Sequence, residues 1–204
     1  MKALLLIDIQ NDFLPGGALA VPDGDAVIPI CNRLQNNFEL VVATQDWHPQ
    51  DHKSFAVNHR DKKEFQTIEW NGLPQVLWPV HCVQSTPGAD FALDLQMAKV
   101  EAIFRKGTNP QIDSYSGFYD NGHLKSTGLA HYLKGKGVTA VYVAGLAADY
   151  CVYFTALDAL AEGFETFIIE DATRAIYAEG FEKAKVDFKG KGGVVLQSNA
   201  IGNL

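Results

Sequence analysis

With 204 residues, 47% of them hydrophobic and 20% charged, the chain can bury the core of one sizeable domain and is too apolar for a disordered tail. Its formal net charge of −7 argues against a nucleic-acid partner, which selects a basic face. The three cysteines, Cys31, Cys82 and Cys151, form neither a CxxC pair nor an even framework, which fits a reducing compartment.

Taken in order, the first apolar run covers residues 2–8 and reaches charge at Asp8. That is too short for a secretion signal or a membrane span, so a cytoplasmic protein with no membrane partner is expected. Residues 25–37 set Val27, Ile28, Cys31 and Leu34 at helical spacing. The runs 39–45, 100–105, 138–144, 165–170 and 193–197 are short, continuous and β-rich, as strands buried on both faces are. Helices are predicted over 122–134, 149–162 and 175–189, with Gly135, Gly163 and Gly190 as stops. The alternation predicts an α/β fold: a single domain over 1–204, a Rossmann-like three-layer α/β/α sandwich with a mainly parallel sheet of about six strands. The basic stretch Lys183–Lys191 is interrupted by Asp187 and reads as a solvated face.

One region breaks this rhythm. From Asp46 to about Ala98 there is no long periodic element, and His, Trp, Pro and Asp are abundant. An irregular stretch of that length inside a compact domain points to function. In open parallel sheets ligands bind beyond the carboxyl ends of the strands. Asp8, Asp46, Lys106 and the turn before Cys151 each follow a predicted strand, so four separate runs bring polar chemistry to one edge.

Cys151 follows a strand-to-helix turn, Gly145-Leu146-Ala147-Ala148-Asp149-Tyr150. A thiol in the first turn of a helix meets free N–H groups and a dipole that favour the thiolate, and the same N–H groups could hold an oxyanion. A lone cysteine is more often a small buried hydrophobe, but Asp8 as a proton acceptor and Lys106 as a cation reverse those odds. Asp46 and His48, two apart beyond a strand, together with His81 could ligate one metal ion and leave coordination positions open; such a donor set suits Zn, Fe or Mn over Ca or Mg. Phe13, Trp78 and Tyr115 lie on neighbouring segments and could line a pocket for a small planar substrate. No GxGxxG follows the first strand, where Ile9-Gln10-Asn11-Asp12 stands, which disfavours a dinucleotide-binding oxidoreductase.

Five motifs in order, Asp8-Ile9-Gln10-Asn11-Asp12-Phe13, Asp46-Trp47-His48-Pro49, Trp78-Pro79-Val80-His81-Cys82, Lys106-Gly107 and Gly145 to Cys151, resemble those of the nicotinamidases (pyrazinamidases) in the isochorismatase-like cysteine hydrolase family. The resemblance implies hydrolysis of nicotinamide to nicotinate and ammonia in NAD salvage, with pyrazinamide as a second substrate. It also implies a triad of Asp8, Lys106 and Cys151, passing through a cysteine thioester. By the same resemblance Ala147 and Cys151 form the oxyanion hole, and the Leu146-Ala147 peptide is cis. Phe13, Trp78 and Tyr115 would bind the ring. Asp46, His48 and His81 would hold one divalent metal ion, Zn ahead of Fe and Mn; some members of the family recruit a further ligand from the segment after Asp46-Trp47-His48, for which His52 is the candidate, left open here. Nicotinamide is the only partner implied, and the oligomeric state is left open, a homo-oligomer included. Other cysteine amidohydrolases of the fold, acting on ureido or carbamoyl compounds, are the nearest alternative; they generally lack the metal cluster.

Overall fold

The computed structural model describes residues 1–203; Leu204, the last residue of the expected domain, lies outside the described residues. The chain begins with β1 (Lys2–Ile7), followed by α1 (Val27–Leu34), β2 (Leu40–Asp46) and a short hairpin of β3 (Thr67–Trp70) and β4 (Leu73–Val76). Next come β5 (Val100–Lys106), α2 (Leu129–Gly135), β6 (Ala140–Leu146), α3 (Tyr153–Ala161), β7 (Glu165–Arg174), α4 (Ala178–Gly190) and β8 (Val194–Leu196). Six strands form one sheet in the order β5-β2-β1-β6-β7-β8, and every neighbouring pair in it is parallel.

The alternation of side chains along β1 explains the three layers. Leu4 and Leu6 point into one core with Val27, Ile28, Cys31 and Leu34 of α1. Leu5 and Ile7 point into the other, with Leu129 and Leu133 of α2, Ala156 and Ala159 of α3, and Phe181 and Phe188 of α4. Both faces of the central strand are therefore dry, and the run could be nothing but apolar. At the edge, β5 alternates between exposed and half-buried residues until Lys106, which is buried. No helix among the described residues is long and apolar enough to cross a membrane.

Two differences from the sequence expectations have local causes. The helix expected over 122–134 starts at Leu129, because Gly128 takes a left-handed φ of 91° in front of it and residues 113–127 are held as a loop by their own side chains. Asp113 Oδ1 accepts from Ser114 N–H, Asp120 Oδ1 from Leu124 N–H, and Thr127 Oγ1 from Leu129 N–H. Gly135 and Gly190 end α2 and α4 as expected; the left-handed glycines beyond them are Gly137 and Gly192, and Gly163 is left-handed after α3. The β3–β4 hairpin falls inside the stretch read as irregular; its strands are four residues each, too short for periodicity to register.

The sheet order reverses direction between β1 and β6: the chain runs outward through β2 and β5, then returns to lay β6 against the other side of β1. Such a switch point opens a crevice at the carboxyl ends. Gly145 makes the closeness possible, since a Cβ there would lie 2.2 Å from the Ile7 carbonyl oxygen and its φ is +115°.

Candidate active site

Asp8 follows the last residue of β1 with a left-handed φ of 46°, an uncommon conformation for a non-glycine residue that clusters at functional sites. Its side chain is fully buried. Oδ1 accepts a hydrogen bond from Thr44 Oγ at 2.6 Å, and Oδ2 stands 2.9 Å from Lys106 Nζ. Lys106 ends β5 and is buried as well, whereas its neighbour Arg105 is exposed and lies over the Trp47 ring. The Lys106 ammonium makes four contacts. They are Asp8, Asp46 Oδ1 at 2.6 Å, the Ser114 carbonyl at 2.9 Å and Cys151 Sγ at 3.4 Å.

Cys151 sits in a wider π-helical turn, Ala148–Val152, that leads into α3; such turns recur at functional sites. The peptide before it, Leu146-Ala147, is cis, as the resemblance implied. Asp149 ties this turn to the loop after β7, accepting from Ile176 N–H at 3.0 Å and Tyr177 N–H at 2.9 Å.

The electrostatics follow from burial. Burial disfavours the charged lysine, but Asp46, Asp8 and Cys151 outweigh it and hold the Lys106 ammonium well above its ordinary range. Burial also raises the Asp8 carboxyl, with Lys106 pulling the other way. The Cys151 thiol is pushed well up by burial, and Lys106 recovers only part of that. Burial thus favours the neutral form of the Cys151 thiol beside a charged Lys106. The dipole of a first turn, which favours a thiolate, is here opposed by the loss of water.

Asp46, His48 and His81 converge next to this group. Asp46 Oδ2 is 3.4 Å from His48 Nε2 and 3.8 Å from His81 Nε2, and all three residues are buried. Each imidazole is aimed by a backbone carbonyl: Nδ1 of His48 faces the Gly107 oxygen at 3.0 Å, and Nδ1 of His81 faces the Pro79 oxygen at 2.8 Å. A carbonyl only accepts, so Nδ1 carries the proton and both Nε2 lone pairs point at Asp46. That is the outer-shell pattern that orients histidine ligands. Gly107 is required there, because a Cβ would lie 2.3 Å from the His48 ring. Burial works against the Asp46 carboxylate, but Lys106, His48 and His81 together hold it well below its usual range. These three donors fit a divalent metal ion of the Zn, Fe or Mn type. His52 stands beside them, its ring 4.4 Å from that of His48, with Nδ1 at 2.7 Å from Ser54 Oγ and Nε2 buried without a partner.

A cavity with about 330 Å³ of empty space joins the two groups. Its wall includes Cys151, Ala147, Asp46 and His81, and also Phe13, Trp78 and Tyr115. All the residues singled out from the sequence thus come to one place. Leu19, Asp113, Tyr150 and Ile176 complete the wall and were not anticipated. Tyr150 alone carried a signal, as the neighbour of the cysteine; its ring stands edge-on to Trp78 at 4.8 Å. Gln10 was likewise missed. It is fully buried and clamps the Asp46 peptide from both sides, accepting from its N–H and donating to its carbonyl, each at 2.8 Å.

Comparison with known proteins shows the family and the fold. The isochorismatase domain model matches residues 2–200. A nicotinamidase of Acinetobacter baylyi is 48% identical over 178 residues, covering 87% of this chain and 83% of the relative. A solved nicotinamidase/pyrazinamidase structure from Acinetobacter baumanii superposes with a TM-score of 0.96 at 48% identity, over 98% of this chain and 97% of that one. The structure of a Pyrococcus horikoshii pyrazinamidase in complex with zinc is 42% identical with a TM-score of 0.79, over 96% and 98% of the two chains.

Proposed function

Because this chain belongs to the isochorismatase domain family, we propose that it hydrolyses the carboxamide of nicotinamide to nicotinate and ammonia, and accepts pyrazinamide as well. The observation that carries the reading is the Lys106 ammonium, in contact at once with Asp8, Cys151 and Asp46 beside a cavity walled by aromatic rings. Relatives named nicotinamidase, 48% identical to this chain in one case, supply the substrate.

In this scheme Asp8 accepts the thiol proton as Cys151 Sγ attacks the amide carbonyl, and Lys106 stabilises the sulfur anion as it forms. A proton acceptor is needed because burial favours the neutral thiol, and burial suits Asp8 to the task by raising its carboxyl toward working pH. The N–H groups of Ala147 and Cys151 receive the oxyanion. Asp8 then returns the proton to the departing ammonia, leaving an acyl thioester on Cys151. The same carboxylate activates the water that releases nicotinate. Phe13, Trp78 and Tyr115 hold the ring. A divalent metal ion held by Asp46, His48 and His81, Zn ahead of Fe and Mn, would bind the pyridine nitrogen and orient the ring for attack. The stretch from 46 to about 98, which supplies three of these residues, is the metal-binding region of the domain, and the setting of the reaction is cytoplasmic NAD salvage.

The test is ammonia release from nicotinamide and pyrazinamide, before and after chelator dialysis, with Zn, Fe and Mn added back separately. Activity should be lost and restored, and Cys151→Ala should lower kcat by about 10⁴-fold or more. Hydroxylamine should trap the thioester as nicotinohydroxamate. Near-normal turnover by Cys151→Ala would overturn the mechanism. Unchanged metal content in His48→Ala would overturn the ligand assignment.

A further inference from the structure

The motif Asp8-Ile9-Gln10-Asn11-Asp12-Phe13 holds a second acid that the proposed chemistry does not use. Asp12 is outside the wall of the catalytic cavity, yet segments that form the wall are fastened to it. Its Oδ2 accepts from Cys82 N–H at 2.7 Å. Its Oδ1 accepts from Ala18 N–H at 3.3 Å, and its main-chain carbonyl accepts from Leu19 N–H at 2.9 Å. Phe13, the next residue, adds a bond of its own by accepting from Val21 N–H at 3.0 Å. Phe13 and Leu19 both line the cavity, and so does His81, which precedes Cys82.

Cys82 is the joint between the two imidazoles. It follows His81 in the chain, and its carbonyl accepts from His48 N–H at 3.0 Å. It takes a left-handed φ of 46°, which a non-glycine residue keeps only where its surroundings enforce it. The Asp12 carboxylate supplies that constraint from the N–H side, through a charge-assisted bond stronger than a neutral acceptor would make. The carboxylate in turn lies against Gly88, where a Cβ would come within 2.2 Å of Oδ2 and 2.5 Å of Oδ1. Asn11 secures the segment around Gly88, its Nδ2 donating to the Pro87 carbonyl at 2.8 Å and its N–H to the Asp90 carbonyl at 3.0 Å.

We propose that Asp12 is a positioning residue for both halves of the site: one side chain holds the His48–His81 donor pair and the Phe13–Leu19 wall at a fixed spacing. The ring centroids of Phe13 and His81 lie 5.5 Å apart across that link. A substrate ring seated between the wall and a metal ion fits only while the link holds. The metal half of this inference stands on the donor geometry alone; the substrate half rests on the nicotinamidase reading.

Asp12→Asn keeps the side-chain shape but turns an NH₂ donor toward one of the two N–H groups. The test measures, side by side, Zn affinity of the substrate-free protein by chelator competition, kcat and KM for nicotinamide at saturating Zn, and urea unfolding. The substitution should weaken Zn binding about 10–100-fold. It should also raise KM about tenfold while kcat changes by less than about threefold, since Asp8, Lys106 and Cys151 stand on other segments. Gly88→Ala, which crowds the carboxylate, should reproduce both effects, whereas Leu19→Ala should raise KM and leave Zn affinity unchanged. Parent-like Zn affinity in Asp12→Asn, with only the urea midpoint lowered, would overturn the proposal and make Asp12 a support of the fold alone. Weakened Zn binding with the parent's KM would also overturn it, by breaking the link between the two halves. If the parent released no ammonia from nicotinamide, the functional reading would fail, while the Zn comparison would still decide the metal half.

Discussion

Replacing Lys106 by Met probes the centre of the site most directly. The side chain is wholly buried between two carboxylates, 2.9 Å from Asp8 and 2.6 Å from Asp46. Methionine keeps the length and apolar stem but leaves the two acids facing each other without a counter-ion. Removing one partner of a buried ion pair typically costs about 3–5 kcal/mol, which for a chain of this size is a fall in Tm of about 6–20 °C. The loss should depend on pH, with a definite sign. Asp8 already has a raised carboxyl in the folded protein, and without Lys106 it rises further. A carboxyl whose folded pKa lies above its unfolded value contributes stability at low pH and loses it as pH climbs through the folded value. The gap between variant and parent should therefore narrow as pH falls from about 8 to about 5, as Asp8 takes up a proton in the variant. Urea unfolding across that range, in chelator so that both proteins are compared metal-free, measures it. A difference below about 1 kcal/mol at pH 8, or one that stays flat down to pH 5, would refute the view of Lys106 as the shared counter-ion.

Three further outcomes follow from the same geometry. Since burial holds the Cys151 thiol well above its usual range, its alkylation by iodoacetamide in the free protein should rise about tenfold per pH unit between about pH 7 and 9; a plateau below that range would mean a resting thiolate. Asp149→Ala removes the acceptor for two N–H groups and should cost about 2–4 kcal/mol in urea unfolding, and it should raise KM because Ile176 lines the cavity; a cost under about 0.5 kcal/mol would show that the turn carrying Cys151 is held otherwise. Gln10→Ala, by freeing the Asp46 peptide, should weaken Zn affinity about 10–100-fold in a chelator competition, and unchanged affinity would dismiss the clamp.

Much of this could be read from the residues because the proposed catalytic groups stand where β-strands end. A continuous apolar run such as Leu4-Leu5-Leu6-Ile7 can only be an interior strand, and the first charged residue after it, Asp8, must lie at the sheet's edge. The same reasoning found Asp46, Lys106 and the turn before Cys151. What escaped lacked a local pattern. Thr44 and Gln10 act through hydrogen bonds to residues 36 positions away, and Leu19, Asp113 and Ile176 reach the cavity from loops whose course tertiary packing decides. The pull of burial on the Cys151 thiol could not be read locally, because burial depends on the whole fold, whereas helix position can be seen in the local sequence.

The central place of β1 has a bearing on how the chain is made. Once made, β1 must wait for β6, roughly 140 residues later, to cover its second edge, as the pairing of Lys2 with Ala140 requires. At about 5–20 residues per second that interval is about 7–30 s. Throughout it, an apolar strand bordered only by β2 presents an open edge to other nascent chains. Asp8 and Cys151 can meet only after this delay, so the yield of active enzyme in a cell should depend on translation speed and on chaperones that shield the N-terminal half.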